Sequence, residues 1–144
     1  MKVEDVLKKK GRRVFTIKQT ETIAALSRAL RENRVGAYVV SHNGKSIDGI
    51  ISERDIAYSL AERRGELHLL PVAALMTKHV VTCSPDDSVQ AAACVMHDRR
   101  IRHLPVKKDG ELVGIISLRD LLEVRLEQIE QRSIALKAFV LASD

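Results

Sequence analysis

Two seven-residue blocks hold most of the chemistry this sequence offers. Gly49-Ile50-Ile51-Ser52-Glu53-Arg54-Asp55 and Gly114-Ile115-Ile116-Ser117-Leu118-Arg119-Asp120 agree at six positions of seven. Each sets a hydroxyl, a guanidinium and a carboxylate within four residues, behind a glycine and two branched apolar residues that read as a strand. Two readings fit. In one, Ser52 or Ser117 caps a helix, and Asp55 or Asp120 three residues on reaches back as in a capping box, its charge matched to the helix dipole. In the other, the helix N-terminus is an electropositive ligand site. The carboxylate there accepts two hydrogen bonds from the vicinal hydroxyls of a ribose, and Arg54 or Arg119 meets a phosphate. Gly49 and Gly114, lacking Cβ, then admit a flat base. Capping requires neither the arginine nor the glycine, yet both recur.

The remaining reactive side chains form no such pattern. His42, His68, His79, His97 and His103 are scattered, and neither a phosphate-cradling loop nor a nucleophile–base order is present. No catalytic residue is assigned. Cys94-x-x-His97 is half a metal motif without its other half, so no metal is expected.

The elements that must position these blocks come from a tandem duplication. Shifted by 66, Val14-Phe15-Thr16-Ile17 falls on Val80-Val81-Thr82-Cys83, Arg34 on Arg100 and Gly44 on Gly110; the two blocks then align at a shift of 65. Cys83, opposite Ile17, reads as a small strand hydrophobe. Each copy reads as β-α-β-β-α. Short strands are expected over Val14 to Ile17 and Val80 to Cys83. Helices follow, carrying Ile23, Leu26 and Leu30 or Val89, Ala92, Ala93 and Met96 at helical spacing, the second starting at Ser84-Pro85-Asp86-Asp87. The next strands, Ala37 to Val40 with Ile47 to Ile51 and Leu104 to Val106 with Leu112 to Ile116, are joined through Asn43-Gly44 and Asp109-Gly110, dipeptides that favour hairpins. Second helices start after Ser52 and Ser117. The expected fold class is α+β, two such repeats packed with pseudo-twofold symmetry, plus terminal helices.

This gives five segments: an N-terminal helix and basic stretch (1–13), repeat one (14–64), a linker with a short helix over Val72 to Met76 (65–79), repeat two (80–125) and a C-terminal helical extension (126–144). Leu118, Leu121, Leu122, Leu126, Ile129, Leu136 and Val140 form an apolar stripe that covers either the chain's own core or a partner subunit.

Composition bounds the function. The 144 residues, 45% hydrophobic and 30% charged, are a globular balance rather than a disordered one. Tyr38, Tyr58, Phe15 and Phe139 are the only aromatics, too few for a base-stacking nucleic-acid platform. Net charge is +5, and all of it lies before Met76, with 14 basic residues against 9 acidic there and 10 against 10 beyond. Lys8, Lys9, Lys10, Arg12 and Arg13 dominate the excess, and a run of that kind is either a solvated helix end or a contact for nucleic acid or an anionic membrane. Two cysteines without CxxC spacing make no disulfide framework and point to a reducing compartment. With no apolar signal core and no stretch near the ~20 residues that span a bilayer, a cytoplasmic location away from membranes is expected.

The duplicated unit ending in Gly-Ile-Ile-Ser-x-Arg-Asp closely resembles the CBS (cystathionine β-synthase) domain, as a tandem pair or Bateman module of the stand-alone bacterial kind. The likeness covers about residues 10 to 125. It implies two clefts for adenosine ligands (AMP, ADP, ATP, S-adenosylmethionine or NAD(H)), no catalytic cofactor, a homodimer, and control of a partner protein. Carried over by motif, the first site comprises Val35, Gly36 and Ala37 at the base, Ile51, Ser52, Arg54 and Asp55 of the signature, and Lys78, His79 and Val80 closing from the other repeat. The second comprises Ile101, Arg102 and His103, then Ile116, Ser117, Arg119 and Asp120, closed by Arg12, Arg13 and Val14. Asp55 and Asp120 inherit the ribose, and Arg54, Arg102, His103 and Arg119 the phosphates. The small Gly36-Ala37 of copy one against Arg102-His103 of copy two predicts sites of unequal affinity. The alternative function is a protein–protein or nucleic-acid interaction module with unoccupied clefts.

Overall fold

A computed structural model describes residues 1–63 and 65–143; Arg64, where the first repeat was expected to end, and Asp144, the end of the expected extension, lie outside the described residues. In repeat one, β1 (Thr16–Ile17) runs parallel to β2 (Ala37–Val40), which pairs antiparallel with β3 (Gly49–Ser52), Ala37 opposite Ser52. Helix α2 (Ile23–Asn33) lies between β1 and β2, and α3 (Glu53–Glu62) follows β3. Repeat two repeats the plan with α4 (Val89–Arg99), the antiparallel pair β4 (His103–Lys108) and β5 (Glu111–Ser117), and α5 (Leu118–Ser143). The chain is α+β, as the patterning predicts. Ile23, Leu26 and Leu30 bury one face of α2 on Tyr38, Val40 and Ile51, while Ala92 and Met96 do the same on Leu104, Val106 and Ile116.

Four local expectations change. The opening strand of repeat two shrinks to one bridge, in which Cys83 N donates to Pro105 O at 3.0 Å and Lys107 N to Cys83 O at 2.8 Å. The next rung of a parallel ladder needs the N–H of residue 105, and Pro105 has none. Helix α4 starts at Val89, five residues after the Ser-Pro signal begins, because the chain's N-terminus diverts the carbonyls a helix would use. Val3 N takes Asp87 O at 2.9 Å and Glu4 N takes Pro85 O at 2.9 Å. Ser84 and Asp87 close a turn instead, and Ser88 caps α4 through Ala91 N at 3.0 Å, as Thr22 caps α2 through Ala25 N at 3.1 Å. Asp109-Gly110, both at positive φ (51° and 80°), makes the tight hairpin expected of it. At Asn43-Gly44, by contrast, the strands stop at Val40 and restart at Gly49, and Asn43 Oδ1 organises a wider loop by accepting from Lys45 N and Ser46 N. Finally, the linker forms two 3₁₀ turns, Leu67–Leu69 and Val72–Ala74.

The lead-in segments are exchanged between repeats. Helix α1 (Val3–Lys10) precedes repeat one but buries Val3, Val6 and Leu7 in the core of repeat two. The segment before repeat two buries Val72 in the core of repeat one, with Leu70, Leu75 and Met76 against it. This exchange gives Gly49 and Gly114 their function. A Cβ on Gly114 would lie 2.7 Å from Leu7 Cδ2, and one on Gly49 would lie 2.9 Å from Met76 Sδ and 3.0 Å from Thr77 O. Both glycines admit the chain's own lead-in segments, not a base. Among the described residues α5 buries nothing after Val124: Leu121 and Val124 are buried, whereas Leu122, Leu126, Ile129, Leu136 and Val140 are exposed. Beyond that point the stripe does not cover the chain's own core.

Two clefts between the repeats as the candidate functional site

Each signature builds the same corner. Ser52 N donates to Asp55 Oδ2 at 2.8 Å and Asp55 N to Ser52 Oγ at 3.4 Å. Ser117 N donates to Asp120 Oδ2 at 2.8 Å and Asp120 N to Ser117 Oγ at 3.1 Å. The capping box is therefore real in both copies. It does not exclude a ribose, because among the described residues every hydrogen bond to either carboxylate ends on Oδ2, leaving Oδ1 for another partner.

Cleft one, about 280 Å³, brings together Ser52, Arg54 and Asp55 with Gly36 and Ala37, and His79 and Val80 face them from the other side. Ile101, Arg102 and His103 of repeat two also line it. Of the residues assigned here, Ile51 is wholly buried in the core and Lys78 lies in a shallow depression beside Thr82 and Lys107. Val35 lines the other cleft.

Cleft two, about 960 Å³, brings together Arg13, Arg102, His103, Ser117, Arg119 and Asp120. Four residues assigned to it are not among its walls. Ile101 lines cleft one and Ile116 is wholly buried. Arg12 turns away to pair with Glu4, and Val14 lies outside the lining as well. Both volumes are of the order of small-molecule sites, roughly 300–1,000 Å³.

Sequence reasoning missed a matched pair of cations. Arg34 ends α2 and Arg100 ends α4, both left-handed, at φ 52° and 53°. Arg34 lines cleft two and Arg100 lines cleft one. A side chain at positive φ is disfavoured, and their identity across the 66-residue shift was the available signal. Tyr58, exposed on α3 at the mouth of cleft one, was missed too.

The clefts differ at one equivalent point. In cleft one the Ile50 carbonyl accepts Thr77 N at 2.9 Å within an antiparallel bridge, and Ile50 N donates to Thr77 O at 3.0 Å. In cleft two the equivalent Ile115 carbonyl accepts Lys10 Nζ at 2.9 Å, and the same ammonium lies 2.6 Å from Asp120 Oδ2. Lys9 pairs with Glu127, so three of the five cations in the basic run are tied to the chain's own carboxylates. Burial lowers the pKa of the His103 imidazole, against the opposing pull of Asp120 and Glu53. Burial also pushes the Cys83 thiol up to about 12, in keeping with a packing role. Among the described residues no group of three or more His, Cys, Asp or Glu side chains could hold a metal, and no helix is long and apolar enough to cross a membrane.

Two copies of one capped βα corner, facing each other's repeat across paired clefts, define the CBS-pair architecture. The CBS domain profile matches residues 3–62 and 72–127, and the chain belongs to that family. An uncharacterized 17.7 kDa protein of Acidianus ambivalens is 35% identical over 116 residues, spanning 80% of this chain and 69% of that one. A CBS-domain protein of Agrobacterium tumefaciens superposes with TM-score 0.83 at 33% identity, over 87% of this chain and 99% of the other. A CBS domain protein of Pyrobaculum aerophilum, solved in complex with AMP, gives 0.73 at 33% identity over 83% and 89%. Against a Methanopyrus kandleri relative, 32% identical, the chain spans 58% of the partner's length.

Proposed function

We propose that this chain is a non-catalytic regulatory module that binds adenosine-containing ligands in its two clefts and thereby controls a partner protein. The observation that carries the reading is the duplicated carboxylate, Asp55 or Asp120. Each is held by its cap through one oxygen and sits in a cleft walled by the opposite repeat. AMP bound to the Pyrobaculum relative supports the ligand class. AMP, ADP, ATP, S-adenosylmethionine and NAD(H) all offer the ribose and base such a corner accepts. The stripe on α5 supports a homodimer, and the two free cysteines, Cys83 buried and Cys94 exposed, support a reducing, cytoplasmic setting. With three cations of the basic run already paired, a polyanion partner is the weaker reading.

Thermal unfolding with each ligand tests this. A ligand selective for the folded state stabilises by RT ln(1 + [L]/Kd), about 2.7 kcal/mol at a hundredfold excess over Kd. Loss of a charge-assisted bond of about 1.5–3 kcal/mol means that Asp55→Ala and Asp120→Ala each weaken binding in their own cleft roughly tenfold or more. No stabilisation by any adenosine compound, alongside nucleic-acid binding that falls steeply with salt, would overturn the reading.

A further inference from the structure

The two clefts share a wall. Gly36, Ala37, Glu53, Arg102 and His103 line both of them. Gly36 keeps that wall thin, since a Cβ there would come within 3.2 Å of His103 Cε1. Each cleft also has cations of its own, Arg54 and Arg100 in the first, Lys10, Arg13, Arg34 and Arg119 in the second. Arg102 belongs to both, and it is exposed, with no carboxylate paired to it among the described residues.

Resting on the adenosine-ligand reading, we propose that phosphorylated ligands bind the two clefts anticooperatively, because Arg102 is a cation that both phosphates draw on. A guanidinium is one planar fork, and a phosphate that engages it bidentately leaves no equivalent face for a second. The later ligand enters a cleft with one cation fewer, and with an anion already across a thin wall where screening is weaker than in open water. Glu53, on the same wall, adds negative charge to both sides. The effect requires the phosphate, so a nucleoside without one escapes it.

Calorimetric titration of the full chain tests this with AMP and adenosine as probes. Val80→Trp fills cleft one from the opposite wall without touching the α3 cap, and Asp55→Ala weakens it roughly tenfold or more. Each variant, checked for folding by circular dichroism and titrated below the concentration that fills its weakened cleft one, gives the affinity of cleft two with its neighbour empty. The expected result is that AMP binds cleft two at least fivefold more weakly in the wild type with cleft one filled, coupling at the lower end of the usual allosteric range. With adenosine the gap closes, and in Arg102→Ala it closes for AMP as well. Equal AMP affinities in wild type and both variants would overturn the proposal, as would a gap that persists with adenosine or in Arg102→Ala. Absence of AMP binding from every form is a different failure, since it removes the adenosine-ligand reading itself.

Discussion

At Asp120 one carboxylate serves two partners through a single oxygen. Oδ2 closes the α5 cap and also receives Lys10, whereas Asp55 has only its cap. A ligand in cleft two therefore meets an ammonium at the ribose corner that a ligand in cleft one does not. This gives a physical basis for the inequality that Gly36-Ala37 and Arg102-His103 predict from the sequence. His103 adds a pH dependence of known sign. Burial depresses its pKa below 6.5, so in that interval the unfolded chain holds more protons than the folded one. Its contribution to stability is thus complete above the interval and lost as the pH falls through it. Urea unfolding between pH 7.5 and 5 is expected to show a loss in the wild type that is smaller in His103→Gln; an identical pH dependence would show that the ring is not the group responsible. Asp120 and Glu53 oppose this burial-driven shift, and Lys10 and Arg102 add to it.

Helices α2 and α4 end on arginines at positive φ, where glycine is the residue that fits without strain. A strained cap that recurs at both clefts points to the side chain as the reason for retaining it. Arg34→Gly is expected to raise stability by about 1 kcal/mol while weakening phosphorylated ligands in cleft two; thermal unfolding and AMP titration read the two effects separately. If the variant lost stability, the side chain would be part of the packing. Much of this level was legible beforehand: the Ser–Asp boxes, the Asp109-Gly110 hairpin and the helical faces of α2 and α4 are local patterns that fold locally. What could not be read depends on distant chain. Ser84-Pro85 has a helix start's composition, but Val3 and Glu4 take its carbonyls. Gly114 looks like a place for a base until Leu7 is seen against it. Lys10, unlike Arg12 and Arg13 of the same basic run, has no assignment from the sequence, and the fold places it on Asp120.

For the whole molecule, the prominent unfinished surface is α5. Leu122, Leu126, Ile129, Leu136 and Val140 recur at steps of three, four or seven, with Ser133 completing the series, the pattern of a helix that packs along another helix. All five apolar members are exposed, Leu136 by 64%. If a second copy covers this row, Leu136→Glu is expected to turn a dimer into a monomer in native mass spectrometry while leaving AMP binding in the clefts unchanged. A wild type that is already monomeric at micromolar concentration would assign the row to some other partner. The exchange of lead-in segments has a consequence of a different kind. The stretch ahead of repeat one contains α1, which completes the second core, and the stretch ahead of repeat two contains Val72, which completes the first. A cut in the linker ahead of Leu70 would divide the polypeptide but not the fold, since each fragment would carry a part the other needs to become solid.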